Sequence, residues 1–324
     1  MPIVPRLGSF HLQHGLILAP ILEVTTSPFR RLCMKYGAEM SFVPMVWTDF
    51  IVSATAHFSE SVRISQEERP LGFQLITTNP EHLPVAFDVL ESFSFDLYDL
   101  NVGCPSKNVR KRGAGGEMLG NLPLLEEILS GLAKYSPKPF SIKIRLGLTD
   151  DSALFPVLQL ATKFGVDFVT IHARNVAQGY GGKADWDAIR RAKEIYPDLP
   201  IVGNGDVRTP QDARELIAQT SCEAVMVGRA AMNFPRIFSL FQAAFEGRDP
   251  PEIQPCVAFS DFLEFLDETL ATGDPDICKP SALRGFLLRF CYGIPLARQY
   301  RRDIGNLHTI EEIREFAVEK WGST

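Results

Sequence analysis

The sequence predicts an α/β fold in which a (β/α)8 TIM barrel is followed by a smaller C-terminal helical domain. Short apolar segments recur eight times in the first 230 or so residues, and polar or glycine-rich residues and an amphipathic stretch follow each one. Such alternation indicates a parallel sheet, and eight repeats in roughly 230 residues fit a closed barrel better than an open doubly wound sheet. A proline-rich stretch then leads into a region whose apolar residues recur at helical spacing.

The predicted strands are short apolar runs bounded by turn residues. They are 16–20, 40–43, 71–75, 95–100, 140–144, 168–171, 201–203 and 224–227. Between them, Pro28 and Pro123 stand where two helices are predicted to begin. Thr209, followed by Pro210, is a typical N-cap and first-turn pair for another helix.

These elements predict two domains joined by a linker. The domains are a catalytic barrel over 1–246, a linker over 247–256 and a helical domain over 257–324. The linker is rich in proline, which disfavours regular structure. Apolar residues at helical spacing predict helices in the last domain over 259–270, 281–292 and 310–321.

Composition limits the classes of function. A net charge of −6 argues against a general nucleic-acid coat, although it allows a local basic stripe. No apolar run approaches the roughly 20 residues that span a bilayer, and the first residues lack a signal-peptide pattern, so we expect a cytoplasmic protein without membrane contact. The six cysteines form no Cys-x-x-Cys pair, so neither a disulfide framework nor a metal site is expected. No protein partner is indicated, and we expect a monomer.

One cysteine lies in a context that suggests chemistry. Asn101-Val-Gly-Cys104-Pro105 places a thiol where a predicted strand ends and a loop begins. Lys107 and Arg110 follow, and glycines come after them. The run therefore combines a group that can carry a proton with a loop that attracts anions.

Polar residues also follow the other predicted strands, at the barrel face where chemistry collects. The glycines of Gly203-Asn204-Gly205-Asp206 let backbone N–H groups approach an oxyanion, and Arg229 after Gly228 can bind one, although these glycines could simply form turns. The residues after strands seven and eight are where barrels commonly bind phosphate. No Gly-x-Gly-x-x-Gly run follows a strand and no Walker pattern occurs, which argues against Rossmann and P-loop sites.

Two further strand ends carry ionisable groups. Period-two alternation places Lys143 and Arg145 on one face of their strand, which would project a cation toward the barrel mouth unless the strand is a solvated surface strand. His172 ends another strand, where a histidine is either a ligand contact or a hydrogen-bonded structural residue.

A basic stripe lies in the helical region. No acidic residue occurs over 277–302, whereas lysine and arginine recur there, including Lys279, Arg284 and Arg289. On an acidic chain this pattern indicates a surface for RNA phosphates, and a solvated helix face is the alternative.

Taken in order, the Asn-x-Gly-Cys-Pro, Lys-x-Arg, His-x-Arg, Gly-Asn-Gly-Asp and Gly-Arg motifs closely resemble those of the tRNA-dihydrouridine synthase family. The resemblance extends from Leu18-Ala-Pro20 to the C-terminal helices. It implies a barrel that binds FMN, joined to a helical domain that grips tRNA. It also implies that NADPH reduces the FMN, and that a flipped-out uridine receives hydride at C6 and a proton at C5.

Matched position by position, the resemblance makes Cys104 the proton donor. The residues implied to hold FMN are Pro20, Ile21, Leu22, Gln74, Lys143, His172, Asn204, Gly205, Asp206, Gly228 and Arg229. Those implied or expected to face the uridine or the tRNA are Asn101, Arg174, Lys107, Arg110, Lys279, Arg284 and Arg289. Two small departures occur: Ile21 replaces the family's usual methionine, and Asn175 replaces its usual threonine.

The chemistry is reasonable on its own terms, because reducing a pyrimidine double bond needs hydride at one carbon and a proton at the next. We expect the cations after Cys104 to contact RNA phosphate and to leave the thiol protonated. Two alternatives stay open: a flavin enzyme acting on a free pyrimidine or dihydroorotate, and a redox-inactive RNA-binding protein.

Overall fold

Eight parallel strands form a closed barrel in the computed structural model, which describes residues 5–54, 58 and 62–322. The strands are β1 (Leu16–Leu18), β2 (Ser41–Trp47), β3 (Leu71–Ile76), β4 (Leu97–Val102), β5 (Phe140–Arg145), β6 (Val169–His172), β7 (Ile201–Asn204) and β8 (Ala224–Val227). Consecutive strands from β2 to β8 pair in parallel, and β8 pairs with β1. The circle is completed by a parallel bridge between Ile17 and Met40, with Leu18 N donating to Met40 O at 2.9 Å. The predicted barrel is therefore confirmed.

The barrel interior is filled at its N-terminal end. An antiparallel hairpin of Arg6–Leu7 and Phe10–His11 precedes β1. Leu7 and Leu12 pack with strand residues such as Val202 and Met226. Because this end is filled with apolar side chains, polar groups collect at the other end, where the strands terminate.

Helices surround the strands and cover their outer face. They are Ser27–Lys35, Thr48–Ser53, His82–Leu90, Lys107–Arg110, Leu122–Tyr135, Leu154–Lys163, Trp186–Ile195, Pro210–Thr220, Arg229–Asn233 and Ile237–Phe245, with 3-10 turns at Gln66–Glu68 and Gly115–Gly120. The predicted cap at Thr209 is confirmed: its hydroxyl accepts from Asp212 N at 3.2 Å, and the Asp212 carboxylate accepts from Thr209 N at 2.8 Å.

The second strand is longer than predicted because Pro44 does not end it. The pairing of β2 with β3 shifts register between Val43 and Val46, which accommodates a proline that cannot donate to the ladder. The strand then continues to Trp47. This irregularity brings Met45 to the barrel mouth, where it contributes to the site described below.

After residues 248–254, which lack regular structure, the chain forms a helical region against the barrel. Its helices are Val257–Thr272, Pro280–Phe290, Ala297–Gly305 and Ile310–Gly322. Phe29 of the first barrel helix lies 6.3–6.4 Å from the rings of Phe265, Phe286 and Phe290. Residues 1–4 and 323–324, where the two predicted domains begin and end, lie outside the described residues. The domain boundaries stay a prediction.

In the described part of the chain, no helix is both long enough and apolar enough to cross a membrane. All six cysteines are free thiols.

Candidate active site

Two adjoining chambers open at the carboxyl ends of the barrel strands. The arginine chamber, about 310 Å³, is lined by residues that include Asn204, Gly205, Asp206, Arg208, Gly228 and Arg229. The cysteine chamber, about 270 Å³, is lined by residues that include Leu22, Met45, Gln74, Asn101, Cys104 and Arg145. Both chambers share Pro20, Ile21, Lys143, His172 and Tyr180. Every residue that sequence reasoning assigned to FMN therefore lines one chamber or both.

Lys143 lies where the two chambers meet. Its ammonium group donates to Asn204 Oδ1 at 3.1 Å, and Asn204 Nδ2 donates to Met226 O at 2.7 Å. Burial, together with the charge of Arg145, lowers the pKa of Lys143 from 10.5 to about 8, and the Asp99 carboxylate opposes that change. The side chain is therefore mainly cationic at neutral pH, although it is largely desolvated.

His172 is a neutral hydrogen-bonding group in this setting. Burial first, and then the charges of Lys143, Arg145, Arg174 and Arg229, hold its pKa far below the ordinary value. Arg174 Nη1 lies 3.3 Å from His172 Nε2. Since a guanidinium group can only donate, Nε2 accepts this bond and the ring proton is on Nδ1.

Asp206 organises the arginines around the first chamber. Its carboxylate accepts from Arg174 at 2.6 Å, Arg208 at 3.0 Å and Arg229 at 3.2 Å, and from the Ala184 amide at 2.8 Å. Burial acts to raise the pKa of Asp206, but these hydrogen bonds and charges outweigh it and keep the pKa well below the usual range. Gly205 beside it has φ +119°, a conformation suited to glycine.

Arg174 does not face the chambers, which corrects the expectation that it contacts the uridine or the tRNA. Its side chain is 0% exposed, and it also donates to Gly181 O at 2.9 Å and Gly182 O at 2.7 Å. Four of the five N–H groups of this guanidinium are directed to acceptors within the protein, including Asp206 and His172. Its geometry is that of a group that positions Asp206, His172 and the loop above them.

A chain of hydrogen bonds runs beneath the cysteine chamber. Asp99 on β4 accepts from Ser141 Oγ at 2.7 Å and from Gln74 Nε2 at 2.7 Å. Gln74 Oε1 accepts from Asn101 Nδ2 at 2.9 Å. Asn101 Oδ1 then accepts from the backbone amides of Gly103 at 3.1 Å and Cys104 at 2.9 Å. Asn101 therefore lies in the chamber and also holds the start of the cysteine loop.

The Cys104 thiol is protonated at neutral pH. Burial raises its pKa above the ordinary value, against the opposing effects of the Ser106 amide and the Arg145 charge. The 3-10 turn after the loop packs closely here, since Gly116 N donates to Cys104 O at 3.0 Å. A Cβ on Gly115, which has φ +58°, would lie 2.9 Å from Cys104 Cβ, so glycine is required at that position.

Three residues of the site received no specific role from the sequence. Asp99 carries the hydrogen-bond chain, and Arg145 donates to Gly103 O at 3.0 Å, Asn175 O at 2.9 Å and Gly179 O at 2.6 Å. Tyr180 is 59% exposed at the mouth, with the guanidinium groups of Arg145 and Arg229 5.5 and 5.3 Å from its ring centre. The Lys-x-Arg motif was a usable signal for Arg145, whereas Tyr180 lies among glycines without a motif.

The predicted RNA contacts divide into two groups. Lys107 is exposed in the helix after Cys104, and Arg110 nearby pairs with Glu117 at 2.9 Å. Lys279 and Arg289 line a groove of about 710 Å³ between the helical region and the barrel loop that carries Leu22. The groove also contains acidic groups, and Asp276 lies 3.4 Å from the Lys279 ammonium group.

Arg284 was expected to face RNA beside Lys279 and Arg289; it is half-buried, and one of its guanidinium nitrogens is engaged within the protein. Its guanidinium group donates to Leu307 O at 2.9 Å and lies 3.4 Å from Gly305 O. Those carbonyls lie at the end of the helix Ala297–Gly305. Arg284 is therefore engaged in holding two helical segments together.

The sequence of most of this chain is similar to that of known proteins. A family model described as Dihydrouridine synthase (Dus) matches residues 17–320. A "Probable tRNA-dihydrouridine synthase" of Aquifex aeolicus is 33% identical over 310 residues, which cover 92% of this chain and 93% of that protein. The tRNA-dihydrouridine synthase B of Pasteurella multocida is 30% identical, over 77% of this chain and 75% of that protein.

Solved structures with the same fold are more distant in sequence. A 2-naphthoyl-CoA reductase aligns with a TM-score of 0.57 at 12% identity, covering 98% of this chain and 69% of that one. Histamine dehydrogenase from Rhizobium sp. 4-9 aligns with a TM-score of 0.54 at 12% identity, covering 82% and 51%. At such low identity these two structures show a common fold alone. The family match over residues 17–320, on a barrel whose strand ends carry the ordered motifs, places this chain in the dihydrouridine synthase family.

Proposed function

We propose that this chain is a tRNA-dihydrouridine synthase, which reduces the C5–C6 double bond of a specific uridine in tRNA. Its family and the names of its relatives support this activity. The observation that carries the proposal is the meeting of a protonated thiol, Cys104, and a desolvated cation, Lys143, in one crevice at the barrel mouth. FMN is the proposed cofactor and NADPH its proposed reductant, in the cytoplasm where tRNA is modified.

The donor groups around the arginine chamber fit the phosphate of a flavin mononucleotide. Arg208 and Arg229 are 67% and 42% exposed, and each contributes one hydrogen bond to Asp206, so further donors are free for an oxyanion. Gly205 and Gly228 line the same chamber without side chains that would obstruct a ligand. We assign these four residues, with Asn204 and Asp206 behind them, to the phosphate end of the cofactor.

The groups shared by the two chambers fit the polar edge of a flavin ring. An ammonium group has three donors, and Lys143 gives one to Asn204, so donors are left for a ring oxygen or nitrogen. Neutral His172 and the Gln74 amide offer uncharged hydrogen bonds beside it. Pro20, Ile21 and Leu22 supply an apolar wall.

The chain's own contribution to the reaction is a proton and a place for the base. When bound, reduced FMN supplies the hydride that adds to C6 of the uracil ring. Cys104 Sγ holds the proton that C5 requires, and the raised pKa keeps it there until C5 becomes basic. Arg145 then stabilises the resulting thiolate, which regains a proton from solvent.

The proposed path for the tRNA leads from the helical region to the cysteine chamber. Leu22 lines both the groove of Lys279 and Arg289 and the cysteine chamber, so the two spaces adjoin. A uridine must leave its stack to enter, at a cost of a few kcal/mol that is smaller for a loop nucleotide. We propose that Lys107, Lys279 and Arg289 contact phosphates on either side of it.

Purified protein tests the proposal directly. We expect a yellow preparation with a flavin absorption spectrum, and formation of dihydrouridine in unmodified tRNA transcripts with NADPH, measured by mass spectrometry of nucleosides. NADH in parallel assays tests the choice of reductant. Reduction of free uracil, or oxidation of dihydroorotate, without action on tRNA would refute the proposal in favour of a free-pyrimidine enzyme. A colourless protein that binds tRNA without reducing it even after FMN is added would indicate the redox-inactive alternative.

A further inference from the structure

The hydrogen-bond chain beneath the cysteine chamber has a direction, and its direction is set at one end. Burial raises the pKa of Asp99 to about 6, against the hydrogen bonds from Gln74 and Ser141, so the group is a carboxylate at neutral pH. A carboxylate can only accept, so Gln74 must turn its amide nitrogen toward Asp99. The Gln74 oxygen then faces Asn101, which must donate with its own nitrogen. What is left for the backbone amide of Cys104 is the Asn101 oxygen, an acceptor of the kind it needs.

We infer that Asp99 is a positioning residue for Cys104, which acts by fixing the orientation of the Gln74 and Asn101 amides. Asp99 is 2% exposed and lies three residue positions before Val102 on β4, so it is not placed to touch a substrate itself. Its two carboxylate oxygens are both engaged, by Gln74 and by Ser141. The sequence motif did not indicate this role for Asp99, because its effect reaches Cys104 through two other side chains.

Because these amides are buried, turning either of them the wrong way would be costly. Gln74 and Asn101 are 1% and 8% exposed, so a wrongly turned amide would leave a buried acceptor facing another acceptor, without water to compensate. Of the two protons on Asn101 Nδ2, one goes to Gln74 and the other points to Met45 Sδ at 3.6 Å. The inference rests on the proposed role of Cys104 as proton donor for its functional meaning, but its structural content can be measured separately.

The direction of the hydrogen-bond chain predicts which substitutions preserve it. Asp99→Asn can keep it, because the new amide oxygen still accepts from Gln74 while its nitrogen donates to the Ser141 hydroxyl. Asn101→Asp cannot keep this direction, because the second oxygen of the new carboxylate needs a donor from Gln74. The single nitrogen of Gln74 already donates to Asp99 and cannot also reach position 101 in that geometry. In the double variant D99N/N101D, Gln74 can turn around and donate to the new carboxylate at position 101, while accepting from the new amide at position 99.

The test is the alkylation rate of Cys104 by iodoacetamide, followed by mass spectrometry of its peptide, together with the midpoint of thermal unfolding. Neither readout needs flavin, tRNA or turnover, so failure of the proposed function leaves this test intact. We expect D99N within threefold of the wild-type rate, N101D at least tenfold away from it, and D99N/N101D restored to within threefold. A wild-type rate in N101D, or no restoration in the double variant, would overturn the inference.

N101D has carboxylates at positions 99 and 101, so D99N could restore its alkylation rate simply by relieving their repulsion. A background without Gln74 separates this cause from a reversed hydrogen-bond chain. In Gln74→Leu protein the hydrogen-bond chain from position 99 to position 101 is broken, so adding D99N to N101D should no longer restore the alkylation rate. Restoration in that background would overturn the inference. If N101D is recovered unfolded, the comparison is made on folding itself: a folded double variant supports the inference and an unfolded one refutes it.

Discussion

Arg174 and Arg208 bind different oxygens of the same carboxylate, so they form a matched pair of substitutions. Arg174 is 0% exposed and Arg208 is 67% exposed, yet both donate to Asp206, at 2.6 and 3.0 Å. Replacing each by methionine removes the charge and keeps much of the aliphatic chain. We expect R174M to lower the free energy of unfolding far more than R208M does.

The size of the difference follows from the surroundings of each group. Breaking a buried ion pair costs about 3–5 kcal/mol, whereas an exposed pair contributes about 0–1 kcal/mol. Asp206 keeps Arg229 and the Ala184 amide in R174M, and Gly181 and Gly182 are exposed residues whose carbonyls can turn to water. These compensations place R174M at the lower end, about 3 kcal/mol, and R208M below about 1 kcal/mol.

Urea unfolding of the three proteins without tRNA measures both values. A loss of about 3 kcal/mol also shifts the thermal midpoint by several degrees, on the order of 10 °C for a domain of this size. Since Arg174 is buried, the tRNA dissociation constant of folded R174M should stay within about threefold of wild type. Equal destabilisation by R174M and R208M would refute the reasoning from burial. A large loss of tRNA affinity in R174M at temperatures where it is fully folded would support the direct contact that the sequence resemblance implied.

Further predictions concern the thiol and the basic groove. Cys104→Ala should retain the flavin spectrum and tRNA affinity but lose at least about 100-fold in dihydrouridine formation, since general acids contribute about 10²–10⁴. Cys256→Ala, at a half-buried cysteine outside the chambers, should match wild type, and near-normal turnover in C104A would contradict the proton-donor role. Because burial raises the pKa of Cys104, the protonated form persists to higher pH, so a loss of wild-type activity that begins near pH 8 should come from Lys143, and the loss due to the thiol should be centred above about pH 8.5, the ordinary thiol value. A thiol-dependent decline centred below pH 8 in single-turnover assays would show that the pKa is lowered instead. K279A/R289A should weaken tRNA binding and reduce its salt slope by about one to two, whereas R284A should leave the slope unchanged and lower the thermal midpoint. Equal salt slopes for K279A/R289A and wild type would mean that the groove is not the RNA surface.

The strands and most helices could be predicted because apolar periodicity and turn residues specify them locally. The helix Ala297–Gly305 was missed for a physical reason: Ile304 is its one buried residue, so almost no apolar face marks it. The length of β2 was underestimated because Pro44 normally ends a strand, whereas here a shift in pairing absorbs it. Both errors arise where a tertiary neighbour, rather than the local sequence, decides the structure.

The lining of the site was predictable to the extent that strand ends must converge in a barrel. What each polar residue does there was less accessible. Arg174 and Arg284 are cations in basic motifs, which is the usual pattern of a phosphate contact, yet their donors bind backbone carbonyls and a carboxylate. A sequence specifies charge and order, but which acceptor lies nearest depends on loops that come from other parts of the chain.

Two buried arginines explain how a glycine-rich loop acquires one conformation at the mouth of the barrel. Arg145 donates to Asn175 O and Gly179 O, and Arg174 donates to Gly181 O and Gly182 O, so Tyr180 is held from both sides. Glycines provide little side-chain packing, and their carbonyls therefore become the points of attachment. Arg145 also donates to Gly103 O, next to Cys104, so one guanidinium fork joins the loop of the proton donor to the loop that covers it. Lysine has a single ammonium centre and could not span these separate carbonyls, which makes arginine the residue that this arrangement requires.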